Sequence, residues 1–152
     1  MIKYTNSAVT FAEIPDEISL SISISNCDGL CEGCHSAELR NNIGNSLLDD
    51  IHKLIQNNRG ISCVCFLGES GKTSNAREKL IEIIETIRKN YPKLKIALYS
   101  GRNYIDIDLL QYLNYYKVGP YIAALGPLNN KNTNQRLYKI VDNKMYDITN
   151  KF

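Results

Sequence analysis

Residues 18–25 alternate without a break, Ile-Ser-Leu-Ser-Ile-Ser-Ile-Ser. A period of two belongs to a β-strand, with Ile18, Leu20, Ile22 and Ile24 on one face and four serines on the other. The apolar face suits packing on helices, and the small polar face suits an interior with room for a ligand. The period changes to that of a helix over 46–58, where Leu47, Leu48, Ile51, Leu54 and Ile55 share a face. Ser46 is its expected N-cap, Asp49 and Asp50 suit the first turn, and Gly60 follows its end. Residues 61–67, Ile-Ser-Cys-Val-Cys-Phe-Leu, are almost continuously apolar, as in a strand covered on both faces. A second helix is predicted over 75–90 from Ala76, Leu80, Ile83, Ile84 and Ile87, with Asn75 and Glu78 placed as a capping box and Pro92 as its stop. A strand at 95–99, a short helix near 106–113 and a strand at 115–118 follow. The tail predicts a polar loop over 126–135, then strands at 137–141 and 144–148 joined by an Asp142-Asn143 hairpin turn.

Strands alternating with helices imply a parallel sheet with right-handed crossovers. The loops 27–35, 68–73, 100–103 and 119–121 then all fall at the C-terminal ends of strands, the edge where such sheets bind ligands. One mouth would hold all four. The chain carries no internal repeat, no linker and no sign of a second domain, so residues 1–152 are expected to form a single α/β domain.

Charge narrows the function classes. The formal net charge is +2, and the lysines are dispersed rather than gathered in a basic run. This argues against a nucleic-acid or membrane-surface role. No stretch is apolar for long enough to span a bilayer, and the N-terminus does not read as a signal peptide. A cytoplasmic location is expected.

The five cysteines are an odd count and are unevenly placed. Cys63 and Cys65 lie in the apolar run 61–67 and suit small core side chains. Cys27, Cys31 and Cys34 form C-x3-C-x2-C in the loop after the first strand. A secreted disulfide framework uses an even, dispersed set. Three clustered thiolates are soft ligands that select an iron–sulfur cluster or zinc, and they leave one metal atom of a cluster without a protein ligand. A structural zinc site needs a fourth ligand. His35 is adjacent to Cys34, and neighbouring residues rarely reach one ion together. Structural zinc and unbound thiols remain the alternatives.

The order of these motifs resembles a known family. C-x3-C-x2-C after the first strand of an α/β chain resembles the signature of the radical S-adenosylmethionine superfamily. Cys31-Glu-Gly-Cys34-His35-Ser36 is similar to the anaerobic ribonucleotide reductase activating proteins, as are Tyr99-Ser-Gly-Arg102, Tyr116-Lys-Val-Gly-Pro-Tyr121 and Thr133-Asn-Gln-Arg136. The resemblance covers nearly the whole chain. It implies an incomplete, TIM-like barrel of parallel strands with helices outside, since 152 residues are too few for a full eight-fold barrel of about 250. It also implies a 4Fe–4S cluster on Cys27, Cys31 and Cys34 whose unique iron chelates S-adenosyl-L-methionine. Reductive cleavage of that cofactor would give a 5′-deoxyadenosyl radical, which forms the glycyl radical of the partner, the anaerobic ribonucleotide reductase. The electron would come from a donor such as flavodoxin or ferredoxin.

The same resemblance implies cofactor contacts from Gly33, Cys34 and His35 beside the cluster. It implies others from Gly68 and Glu69 after the second buried strand, from Ser100 and Gly101 after the third, and from Lys117 near the fourth. The family's Gly-Gly-acid motif is altered here to Gly68-Glu69-Ser70. Either Gly68 and Glu69 supply one glycine and the acid, or Glu69 replaces the second glycine and Ser70 the acid. A solvated turn is the plainer reading of His35, a strand-to-helix turn that of Ser100-Gly101, and a snorkelling amine that of Lys117. Gly71-Lys72-Thr73 also suggests a phosphate loop, but Phe66 stands where that motif needs its first glycine. Activation of another glycyl radical enzyme, other radical chemistry, and a non-enzymatic zinc or iron–sulfur module complete the alternatives. No cysteine-rich ferredoxin insert of the larger activases is present.

Overall fold

The computed structural model describes residues 1–29, 37–122, 124–126 and 128–151. Its strands are β1 (Lys3–Thr10), β2 (Ser19–Ile24), β3 (Asn45–Ser46), β4 (Cys63–Leu67), β5 (Lys95–Tyr99), β6 (Tyr115–Val118), β7 (Arg136–Val141) and β8 (Lys144–Asp147). The α-helices are α1 (Leu47–Gln56) and α2 (Ala76–Asn90), and a 3-10 helix occupies Ile107–Tyr112. The strands form one sheet in the order β3-β1-β2-β4-β5-β6-β7-β8. Its two ends, β3 and β8, are not neighbours, so the sheet is open.

The sheet is mixed: beside the expected parallel strands and tail hairpin it carries antiparallel β1–β2 and β6–β7 pairs that the sequence pattern did not predict. β2, β4, β5 and β6 run parallel, flanked by antiparallel pairs β1–β2, β6–β7 and β7–β8. Connection type explains the difference. Parallel neighbours need a long crossover, and α1, α2 and the 3-10 helix supply these. The β7–β8 link is the two-residue turn Asp142-Asn143, both at positive φ (50° and 61°), which closes only an antiparallel hairpin. β1 was not foreseen. Of its eight residues only Tyr4 is buried, so it carries almost no apolar signal; it is held by its ladder to β2.

Both α-helices cover the face of the sheet that presents Leu20, Ile22, Ile24, Val64, Phe66, Ile96, Leu98 and Tyr116. Against these pack Leu47, Ile51 and Ile55 of α1 and Leu80, Ile83, Ile84 and Ile87 of α2. Ser46 caps α1 as its position predicted, accepting the Asp49 amide. Asn75 does not cap α2: it sits in the left-handed region (φ 54°) and makes no side-chain capping bond, so the expected capping box is absent.

The opposite face carries the serines. Ser19 and Ser21 lie in register with Cys63 and Cys65. This face was expected to border open space. Instead Ile14, fully buried, packs there with Cys63, Cys65, Ala97, Tyr115, Leu137 and Ile148. The segment after β1 and the tail after β8 fill the volume that small side chains leave.

Burial makes these two thiols poor acids. The Cys63 thiol is pushed up from 9.0 to about 12, and Cys65 well above its ordinary value. The folded form's advantage is therefore fully present below pH 9.0. It is lost as pH rises toward about 12, because the unfolded chain ionises first. Urea midpoints are expected to fall across that window, and to fall less in Cys63→Ala.

Candidate metal centre and its cleft

β2 ends at Ile24 and delivers the chain to Asn26, which turns at φ 61° into Cys27. The cysteine loop is anchored at its base. The Asn26 amide donates to the Asn41 carbonyl at 2.9 Å, and the Cys27 amide to the Leu39 carbonyl at 2.9 Å. Cys31, Gly33, Cys34 and His35 lie outside the described residues. Cys27 is half-buried, and its Sγ accepts the Gly29 amide at 3.3 Å. An amide aimed at sulfur stabilises a thiolate and is one of the features that tune iron–sulfur centres.

Cys27 opens onto a cleft of about 340 Å³ that gathers Asp28, Gly68, Glu69, Gly101, Arg102 and Pro120. These come from the ends of β2, β4, β5 and β6, so the four loops expected to share one mouth do meet. Gly68 bends the chain out of β4 at φ 119°, a conformation side-chain-bearing residues rarely adopt. A Cβ on Gly71 would strike the Asp28 carboxyl at 2.2–2.4 Å, so glycine there lets the two loops touch.

Within Gly68-Glu69-Ser70 the two polar side chains go to different places. Glu69 lines the cleft; Ser70 is buried, and its hydroxyl faces Thr73 Oγ1. Glu69 Oε2 accepts from Ser100 Oγ at 2.7 Å and from Arg102 Nε at 3.1 Å. Arg102 reaches on to Asp28, Nη2 to Oδ2 at 3.4 Å. Burial lowers the Arg102 pKa, but the Glu69 and Asp28 carboxylates more than offset it, so it stays firmly charged. Gly101 also lines the cleft, and no atom lies within 4 Å of where its Cβ would be.

Lys117 stands apart from this cleft. It is buried, donates to the Ser100 carbonyl at 3.3 Å, and sits 5.4 Å from the Tyr99 ring centroid. It lines a second cavity of about 590 Å³ with Glu13, Tyr99, Leu128 and Gln135. Burial raises the Glu13 pKa, with Tyr99 and Lys117 opposing it, and the Tyr99 hydroxyl donates to the Glu13 carbonyl.

Gly71-Lys72-Thr73 is a brace, not a phosphate cradle. The Lys72 amine is bound to the Arg40 carbonyl at 2.8 Å, the Lys72 amide to the Asn26 carbonyl at 3.0 Å, and Thr73 Oγ1 accepts from Asn26 Nδ2 at 3.1 Å. The segment holds both ends of the cysteine loop. Sequence reasoning assigned no role to Asp28 or to the Arg102 side chain. Their opposite charges, each at a strand end beside an expected ligand, were the available signal.

The donor chemistry fits an iron–sulfur cluster. Cys27 is a half-buried thiol served by a backbone amide and facing a cleft, unlike Cys63 and Cys65, which burial keeps protonated. Iodoacetamide is expected to alkylate Cys27 in the metal-free folded protein and to spare Cys63 and Cys65; mass mapping of the labelled peptides checks this.

Among the described residues no helix is long and apolar enough to cross a membrane. No curated protein and no solved structure matches the chain. A family model described as a 4Fe-4S single cluster domain matches residues 18–143, a span that contains Cys27, Cys31 and Cys34. The match covers most of the sequence, and the chain belongs to the 4Fe-4S single cluster domain family.

Proposed function

We propose that this protein is a radical S-adenosylmethionine activase of anaerobic ribonucleotide reductase. The observation that carries this reading is the meeting of Cys27, Gly68, Glu69 and Gly101 in one cleft at the C-terminal strand ends. We read the open sheet as the wall of the partial barrel that such enzymes use. When bound, the reduced cluster supplies the electron that splits the sulfonium C–S bond of S-adenosylmethionine, yielding the radical that takes hydrogen from a glycine of the reductase.

The remaining work belongs to the chain. Cys27, Cys31 and Cys34 would hold the cluster, and Gly33 and His35 are the cofactor contacts that the resemblance implies next to them in sequence. Glu69 offers its carboxylate to the cofactor's ammonium group, oriented by the Ser100 hydroxyl and Arg102. Gly101 leaves the facing wall free of side chain. Lys117 acts through Ser100, whose carbonyl its amine holds. A cytoplasmic flavodoxin or ferredoxin would supply the electron.

The test is anaerobic. Protein reconstituted with iron and sulfide, reduced with dithionite and given S-adenosylmethionine and the reductase is expected to release 5′-deoxyadenosine and produce a glycyl radical signal. A full cluster that yields neither product overturns the activase reading and leaves an electron-transfer module. In the active protein, Glu69→Gln removes one charge-assisted contact, and cofactor affinity is expected to fall about tenfold or more by equilibrium binding.

A further inference from the structure

We propose that the guanidinium of Arg102 sets the reduction potential of the 4Fe–4S cluster by neutralising the Asp28 and Glu69 carboxylates, which share with Cys27 the lining of one cleft. The inference rests on a cluster at Cys27, Cys31 and Cys34 and not on the activase reading.

Arg102 is built into place. Its amide donates to Ser100 Oγ at 3.1 Å, and its carbonyl accepts the Gly119 amide at 2.7 Å. Its side chain, one-third exposed, spans Glu69 and Asp28, and its guanidinium carbon stands 5.8 Å from the Tyr104 ring centroid. Asp28 is the residue directly after Cys27, and Arg102 and Cys27 line the same cleft. Among the described residues that line the cleft, the charges are one cation, Arg102, and two anions, Asp28 and Glu69.

A cluster gains negative charge on reduction, so nearby cations favour the reduced form and nearby anions oppose it. Net charge around the cluster is one of the levers that set such potentials. Charges in a half-buried cleft act across an effective dielectric of about 20, strongly enough to matter at contact distances of several ångströms. Removing Arg102 leaves two uncompensated carboxylates beside the cysteine loop, and the cluster becomes harder to reduce.

The test is a redox titration of the reconstituted protein, with iron and sulfide counted, the reduced cluster read by EPR, and S-adenosylmethionine left out. Arg102→Gln is expected to lower the ratio of reduced to oxidised cluster at a fixed poise about tenfold, a shift of about 59 mV for one electron. Arg102→Lys keeps the charge and is expected to titrate like the parent. Glu69→Gln shifts the ratio the other way. A mere loosening of the cleft would move the Gln and Lys variants together, and that result, or no shift in any variant, overturns the proposal. Should Arg102→Gln fail to hold a full cluster, Glu69→Gln and Asp28→Asn decide the matter. Both must raise the reduced fraction, and unchanged or lowered values overturn it.

Discussion

Replacing Cys27, Cys31 or Cys34 by alanine is expected to abolish the bound cluster, and with it any chemistry that depends on the cluster. In the proposed assignment each thiolate would anchor one iron, and the C-x3-C-x2-C loop offers no spare sulfur. The two remaining cysteines cannot substitute. Cys63 and Cys65 point away from the helix-covered face into a packed core beside Ile14, and burial holds both protonated. Iron and sulfide analysis after anaerobic reconstitution is the measurement, with cofactor cleavage as the second readout. Cys63→Ala is the matched control: it should keep the full cluster and lose only modest stability. A full cluster retained by any of the three loop variants would sink the ligand assignment.

The second large effect lies in the core that positions the cleft. Phe66 is fully buried in β4, paired with Ile22 of β2 and Leu98 of β5 on the face covered by the helices. Phe66→Ala removes a ring from the centre of the parallel strands, at a cost of about 3–5 kcal/mol. Total stability for such a domain is only about 5–15 kcal/mol, so this single change takes a large share of it. Urea unfolding gives the value. Phe11→Ala provides the contrast: Phe11 is 74% exposed, and its truncation should stay within about 0.5 kcal/mol. A loss below about 1 kcal/mol at Phe66 would contradict the central placement of β4.

The elements with strong periodicity were legible in the sequence. The strict alternation at 18–25, the apolar run at 61–67 and the stripes of both helices correspond to β2, β4, α1 and α2 within two residues at each end. What failed depended on contacts between distant parts of the chain. β1 exists because β2 has an open side, not because Lys-Tyr-Thr-Asn-Ser-Ala-Val-Thr favours a strand. The β7–β8 hairpin was legible in its turn residues, but the antiparallel β6–β7 pairing follows from how the tail returns to the sheet, which local patterning does not weigh. Ile14 gave no hint that it would cover the serine face.

The site divides in the same way. The convergence of the loops holding Cys27, Gly68-Glu69 and Gly101 followed from strand order alone. That Glu69 lines the cleft while Ser70 is buried required side-chain direction, because the two residues are adjacent and both polar. Lys117, which could have snorkelled to solvent, is buried, and its amine goes to the Ser100 carbonyl and a neighbouring cavity. The ion pairs of Arg102 join residues 74 and 33 positions apart, a separation that no local pattern encodes.

From β1 to β8, with only the short β3 displaced to the edge, the sheet order repeats the order in which a ribosome would make the strands. Each newly emerged strand finds its partner already outside the tunnel and need not wait for distant sequence. Asp28, Glu69 and Arg102 all precede β6, so the ion pairs that close one side of the cleft can form on the nascent chain before β7 and β8 exist. Growth from the N-terminal side suits a chain whose metal-binding loop comes early, because that loop gains its supporting wall strand by strand during synthesis.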